Sequence, residues 1–204
     1  MSKLAVIGAG GHTRSLLVLV RSLFEGRDIS IYDDSFEESS NECIGHIPLV
    51  GKINDIPADR GIILSLGNNM LRSMYFSRFR QQIVDENLSH STALREADSE
   101  IGKANQFFAN SYTGAEVRIG DNNILNSGSI VEHESRIDSH NHISVGARIC
   151  GRSKLGSMCL VGAGAVILDK ISICDEVVIG AGSVVTKDIL SPGVYVGAPA
   201  IKIK

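Results

Sequence analysis

There is no tryptophan in these 204 residues, proline occurs 4 times, and aromatic residues make up only 5% of the chain. A core of large stacked rings is thereby excluded, and burial must rest on Ile, Val, Leu and Ala. No run reaches 18 apolar residues, so no segment is expected to insert into a membrane. Neither sign of charge dominates: 20 basic and 23 acidic residues are scattered to give a net charge of −3. Without a basic face to release counterions from a phosphate backbone, nucleic acid is not an expected partner. Cysteine is scarce too. Cys43, Cys150, Cys159 and Cys174 have neither CxxC spacing nor a companion His cluster, so they read as small buried hydrophobes, and neither a metal nor a disulfide framework is called for. The start MSKLAVIGAG runs straight into a strand pattern without the regions of a secretory leader, and a cytoplasmic location is expected.

What the chain does have is glycine, 21 residues of it, within an ordinary globular mix of 43% hydrophobic and 21% charged residues. It also has a period. From Ile101 the sequence divides into 15 consecutive sixes without an insertion, IGKANQ to VTKDIL, and 14 of their 15 first positions are large and apolar, Thr113 being the exception. The fifth position is mostly Ser, Asn, Ala, Val or Cys, small enough to sit where the chain turns a tight corner. Six matches neither the 3.6 of a helix nor simple alternation, but three sixes make an 18-residue coil of short strands around a prism. Coils stacked at strand spacing rise about 24 Å over five coils. No coil can bury its own Ile row, so repetition supplies the stability. A sandwich of short strands is the competing arrangement, and its turns do not hold a strict register over this length.

Residues 3 to about 88 read differently. Leu4 to Ile7 is a short apolar strand, Gly8-Ala9-Gly10-Gly11 a turn, and His12 to Phe24 a helix with Leu16, Leu17, Val20, Leu23 and Phe24 on one face. Ile29 to Tyr32 leads into Asp33-Asp34, Ile62 to Leu66 into Gly67-Asn68-Asn69, and a second helix covers Met70 to Arg80. This alternation predicts a small Rossmann-like parallel sheet with its ligand at the carboxyl ends of the strands. Gly8 and Gly10 match the first two glycines of GxGxxG, with Thr13 where the third would stand. The turn can still aim N–H groups and a helix N-terminus at a phosphate, the alternative being a tight turn without a ligand. Residues 89 to 100 are polar and read as a junction, dividing the chain into domains 1–88 and 89–204.

Within the repeats His133 stands between Glu132 and Glu134. A histidine titrates in the range useful for taking a proton from an attacking group, and a carboxylate can hold the imidazole tautomer. His133 is assigned as general base with Glu134 as partner; Glu132 remains the alternative, because neighbouring side chains on an extended segment point to opposite sides. The competing reading makes His133 a solvated surface residue. Cys150 and Cys159 have no base beside them in sequence, so neither is put forward as a covalent nucleophile and direct transfer is expected.

GAGGH at the start, YDD after the second strand, SLGNN after a later one, hexads containing EHE followed by HNHISVGA, and the ending PGVYVGAPA together resemble the sialic-acid O-acetyltransferase and bacillosamine N-acetyltransferase family of hexapeptide-repeat acyltransferases. That resemblance implies a left-handed parallel β-helix after the N-terminal sheet, a homotrimer with active sites between neighbouring prisms, and acetyl-CoA as co-substrate. It puts nucleotide-sugar contacts at Gly10, Gly11, His12, Asp33, Asp34 and Gly67, and CoA contacts at His142, Gly151, Ala163 and Ala181. The expected activity is N-acetylation of a nucleotide-linked 4-amino-4,6-dideoxy sugar, a UDP- or dTDP-sugar, for surface glycan synthesis. O-acetylation of sialic acid is the alternative, and a non-catalytic scaffold a more distant one.

Overall fold

A computed structural model describes residues 3–39 and 42–204. They form two compact units, residues 1–85 and 86–204. In the first, β1 (Lys3–Ile7), β2 (Asp28–Tyr32), β3 (Cys43–Ile44), β4 (Ile47–Gly51) and β5 (Gly61–Leu64) accompany helices α1 (Gly11–Leu23) and α2 (Asn69–Arg78). The sheet order is β3-β4-β2-β1-β5, parallel apart from the β3–β4 hairpin. Leu4 to Ile7 are fully buried, as a continuous apolar run must be in a central parallel strand covered on both faces. Helix α1 turns Leu16, Leu17, Leu19 and Val20 inward. Leu23, expected on that face, is 44% exposed, because the helix ends there and Phe24 takes the inner place.

The second unit is a solenoid with three faces of stacked parallel strands. Its first face runs from Leu88–Ser89 through Ile124–Leu125 and His142–Ile143 to Val177–Ile179; the second from Leu94–Arg95 through Ile130–Val131 to Val184–Val185; the third from Glu100–Ile101 to Ser172–Ile173. Strands pair 18 residues apart, Leu125 with Ile143 and Val131 with Ile149. The first hexad positions fill the interior, Phe107, Leu125, Ile143, Val161 and Ile179 all being fully buried on the first face. Thr113 occupies the same inward place and is buried as well.

Residues 89–100 are not a junction. Leu88–Ser89, Leu94–Arg95 and Glu100–Ile101 pair with the strands 18 residues on and so make the first coil. Their polarity belongs to position, since an end coil is stacked on one side only. At the other end Gly193–Val196 pairs parallel with Val177–Ile179, and Ile201–Lys202 folds back antiparallel on it, closing the first face with a hairpin.

The fifth hexad position does more than fill a corner. Asn87, Asn105, Asn123 and Asn141 stack between the third and first faces. Each side-chain carbonyl accepts the backbone N–H of the next coil: Asn105 and Asn123 to their lower neighbours at 2.8 Å, Asn141 to Asn123 at 2.8 Å, and Cys159 to Asn141 at 2.7 Å.

Candidate active site

His133 and Glu134 sit at the vertex between the second and third faces. Glu134 adopts φ 60°, in the left-handed region, so the backbone swings its carboxylate round to the side of its neighbour. Glu134 Oε2 lies 3.0 Å from His133 Nδ1. Because a carboxylate only accepts, Nδ1 carries the proton and Nε2 of the neutral ring is left as the basic nitrogen. Both side chains are about half exposed, 48% and 51%, and open to an incoming substrate. The charge of Glu132 adds to burial in raising the pKa of Cys150, and on Tyr112 it adds to the larger effects of burial and of Glu96.

The N-terminal turn lies where the strand order reverses, β2 going to one side of β1 and β5 to the other, the usual crevice for a ligand in such sheets. Gly8 has φ +112°, and a Cβ there would lie 2.7 Å from the Ser65 carbonyl oxygen, so close approach to the end of β5 demands glycine. Gly10 and Gly11 are different, because a Cβ on either would meet nothing within 4 Å. Packing explains the first glycine and leaves the other two as bare backbone at the start of α1, whose Gly10 cap provides no side-chain hydrogen bond. Thr13, in place of the third glycine, is buried and donates its hydroxyl to the Gly8 carbonyl at 2.8 Å, stitching the helix to the turn. His12 stands partly buried in the first turn of α1.

Asp33 accepts from the Ala9 amide at 2.8 Å and from Ser35 N and Oγ at 2.9 and 2.7 Å. Burial works to raise its pKa, but these hydrogen bonds prevail and hold it below the ordinary value. Asp34 Oδ1 accepts from the Ile53 amide at 3.2 Å, tying the end of β2 to the segment after β4. Gly67 follows β5, in a turn gripped from below by buried Arg72, whose guanidinium donates to the Leu66 carbonyl at 3.0 Å and to Asn69 Oδ1 at 2.9 Å. Burial pushes Arg72 down to about 9, still charged at neutral pH. No feature of the local sequence pattern singles out Arg72.

The four residues that resemblance assigns to CoA are not together within one chain. Gly151 lies against His133. His142 is on the first face, its Nε2 3.3 Å from Asn126 Nδ2, and Ala163 and Ala181 occupy exposed corners between the first and second faces. Of the cysteines only Cys159 is fully buried, its thiol pushed up to about 12 by burial; Cys43 is exposed and Cys150 and Cys174 are intermediate. The expectation of four buried thiols is corrected accordingly, since Cys150 and Cys174 fall outside the inward-facing hexad positions.

Residues 3–79 match the family described as PglD N-terminal domain, and residues 152–187 match the bacterial transferase hexapeptide of six repeats. The first stretch is thus similar to PglD N-terminal domains and the second to hexapeptide-repeat transferases, and the repeats fit a left-handed β-helix. It is similar to the acetyltransferase domain of PglB from Neisseria gonorrhoeae FA1090, at TM-score 0.91 and 27% identity over 100% of both chains. The same domain in complex with acetyl coenzyme A gives 0.88 and 28% over 99% of each. A likeness of fold extends to a point variant of perosamine N-acetyltransferase from Caulobacter crescentus in complex with CoA and GDP-perosamine, at 0.92 and 23% identity over 100% of this chain and 98% of that one. No curated protein sequence matches. Among the described residues no helix is long and apolar enough to cross a membrane.

Proposed function

We propose that this protein transfers acetyl from acetyl-CoA to the amino group of a nucleotide-linked 4-amino-4,6-dideoxy sugar, a UDP- or dTDP-sugar of surface glycan synthesis. The observation that carries this reading is the half-exposed His133–Glu134 pair at 3.0 Å, an oriented base on a chain that is similar end to end to an acetyltransferase domain. The substrate amine attacks the thioester carbonyl, forming C–N. His133 Nε2 takes the amine proton while Glu134 steadies the imidazolium, and collapse breaks C–S, the proton passing to the CoA sulfur. The N-terminal unit contributes nucleotide binding. Gly10 and Gly11, bare where nothing obstructs a side chain, and the uncapped start of α1 suit a diphosphate, while Asp33 orients the Ala9 amide. The shift of Cys150 to a higher pKa, by burial, Glu132 and Asp169, supports direct transfer rather than a thiolate nucleophile.

The same reading includes a homotrimer. The residues that the resemblance assigns to CoA, Gly151 on one side and His142, Ala163 and Ala181 on the other, lie on different sides of the prism, which supports a groove shared by two prisms, one giving the His133 vertex and the other the first face and its corner. The tips of that corner, Ser127, Val145, Ala163 and Ala181 among them, carry no charge, whereas the His133 vertex presents Glu116, Glu134, Arg152 and Lys170. A homotrimer closes three such grooves by one heterologous contact.

The test is a panel of UDP-, dTDP- and GDP-amino sugars and sialic acid with acetyl-CoA and a thiol reagent. One amino sugar should release CoA, and His133→Ala should lower that rate by about 10²- to 10⁴-fold at unchanged melting temperature. Turnover with sialic acid alone would move the reading to O-transfer; silence across the panel would leave a binding solenoid.

A further inference from the structure

We propose that Gly151 is a positioning residue: the missing side chain is the space in which the His133 imidazole stands. This rests on His133 being the base. Residues at this corner recur every 18 positions, as Ala97, Ala115, His133, Gly151, Asp169 and Lys187. The two coils that follow Gly151 carry full side chains, so the corner itself tolerates them. Nor does the backbone require glycine. Gly128, Gly146, Gly164 and Gly182 have φ of 66°, 65°, 67° and 66°, whereas Gly151 lies outside that left-handed region.

The constraint is spatial. A Cβ at position 151 would lie 2.6 Å from both Cε1 and Nε2 of His133 and 3.2 Å from Cδ2. Gly151 is buried at a vertex whose other members are mostly exposed, the ring lying over its Cα. The opposite edge of the ring is tied to Glu134 at 3.0 Å, so the imidazole is held between a carboxylate and a bare glycine. Ordinary contact distance begins near 3.5 Å, and an added methyl therefore drives the ring away by roughly 1 Å. The ring is the free end of a side chain and can swing without disturbing the coil. The fold should survive while the Glu134 hydrogen bond does not.

Full-length Gly151→Ala separates this from a role in cofactor contact alone. Two-bond ¹H–¹⁵N spectra of the substrate-free protein should show His133 as the Nδ1-protonated tautomer in the wild type and shifted toward the Nε2-protonated form in the variant. The kcat should fall about 10²-fold, the usual consequence of a 1 Å misplacement, with KM for acetyl-CoA within about twofold and the circular dichroism melt retained. Ala97→Ser, three coils from Gly151 at the same vertex, should move none of these. An unchanged His133 spectrum in Gly151→Ala overturns the proposal, whether activity persists or only KM for acetyl-CoA rises. Full activity in His133→Ala would instead overturn the assignment of the base, and the tautomer spectra would still report on the slot.

Discussion

Asp33 holds three hydrogen bonds in its ionised form, and its pKa lies below the ordinary value. A depressed carboxylate stabilises the fold above its unfolded pKa of about 3.9 and loses that contribution as pH falls through the lower folded value. Asp33→Asn should therefore destabilise the N-terminal unit by about 1–2 kcal/mol at pH 7, with the gap to wild type closing below about pH 4, as followed by urea titrations under circular dichroism. Arg72 is a second residue whose surroundings decide its worth. Its two donors hold Leu66 and Asn69, and a lysine cannot reproduce the planar fork. Arg72→Lys should weaken binding of a nucleoside diphosphate by about 10-fold, as calorimetry would register. The place of Arg72 was not legible from residue type, since an arginine inside a helix reads as solvent-facing, and the left-handed φ that brings Glu134 beside the imidazole is announced by no local pattern.

At the level of elements, the central strands and both helices of the N-terminal unit were legible from their apolar runs and helical spacing, and in the second unit whatever repeats was legible. A fixed spacing of 18 fixes strand pairing, so the prism and its buried Ile, Leu and Val rows follow from the hexads alone. The first coil was missed because an end repeat has a polar side, and the β3–β4 hairpin because β3 has only two residues and β4 carries Pro48, which reads as a break in a strand pattern. The asparagine ladder was hidden behind small size, since Asn and Ser look alike as corner fillers. Their energetics differ. Asn123 accepts the Asn141 amide and donates Nδ2 to Asn105 Oδ1 at 3.1 Å, so Asn123→Ala leaves buried groups unmet and should cost about 2–4 kcal/mol. Ser129, at the equivalent position one corner on, is buried with no hydrogen-bond partner for its hydroxyl among the described residues. Ser129→Ala should be neutral or stabilise by up to about 1 kcal/mol. Thermal melts of the two variants in parallel decide it, and equal losses would dismiss the ladder as mere filling.

For the whole molecule the proposed trimer makes a claim that can be tested, namely which chain supplies which half of the groove. His133 lies at the vertex between the second and third faces and His142 on the first face, so in a closed ring of prisms each groove takes one from each of two neighbours. Co-expression gives this a number. If His133→Ala and His142→Ala are each inactive alone, an equal random mixture assembles a groove with both wild-type histidines only when one particular chain of each adjoining pair is the first variant and its neighbour the second. That occurs in about a quarter of grooves, so the co-expressed mixture of differently tagged chains, taken without selecting for both tags, should recover about a quarter of wild-type activity. Were both histidines to act from one prism, every groove in the mixture would lack one of them and no activity would return. Recovery near a quarter also requires free exchange of neighbours, which mass measurement of the mixed assemblies checks independently: they should contain both tags in all combinations at three chains each.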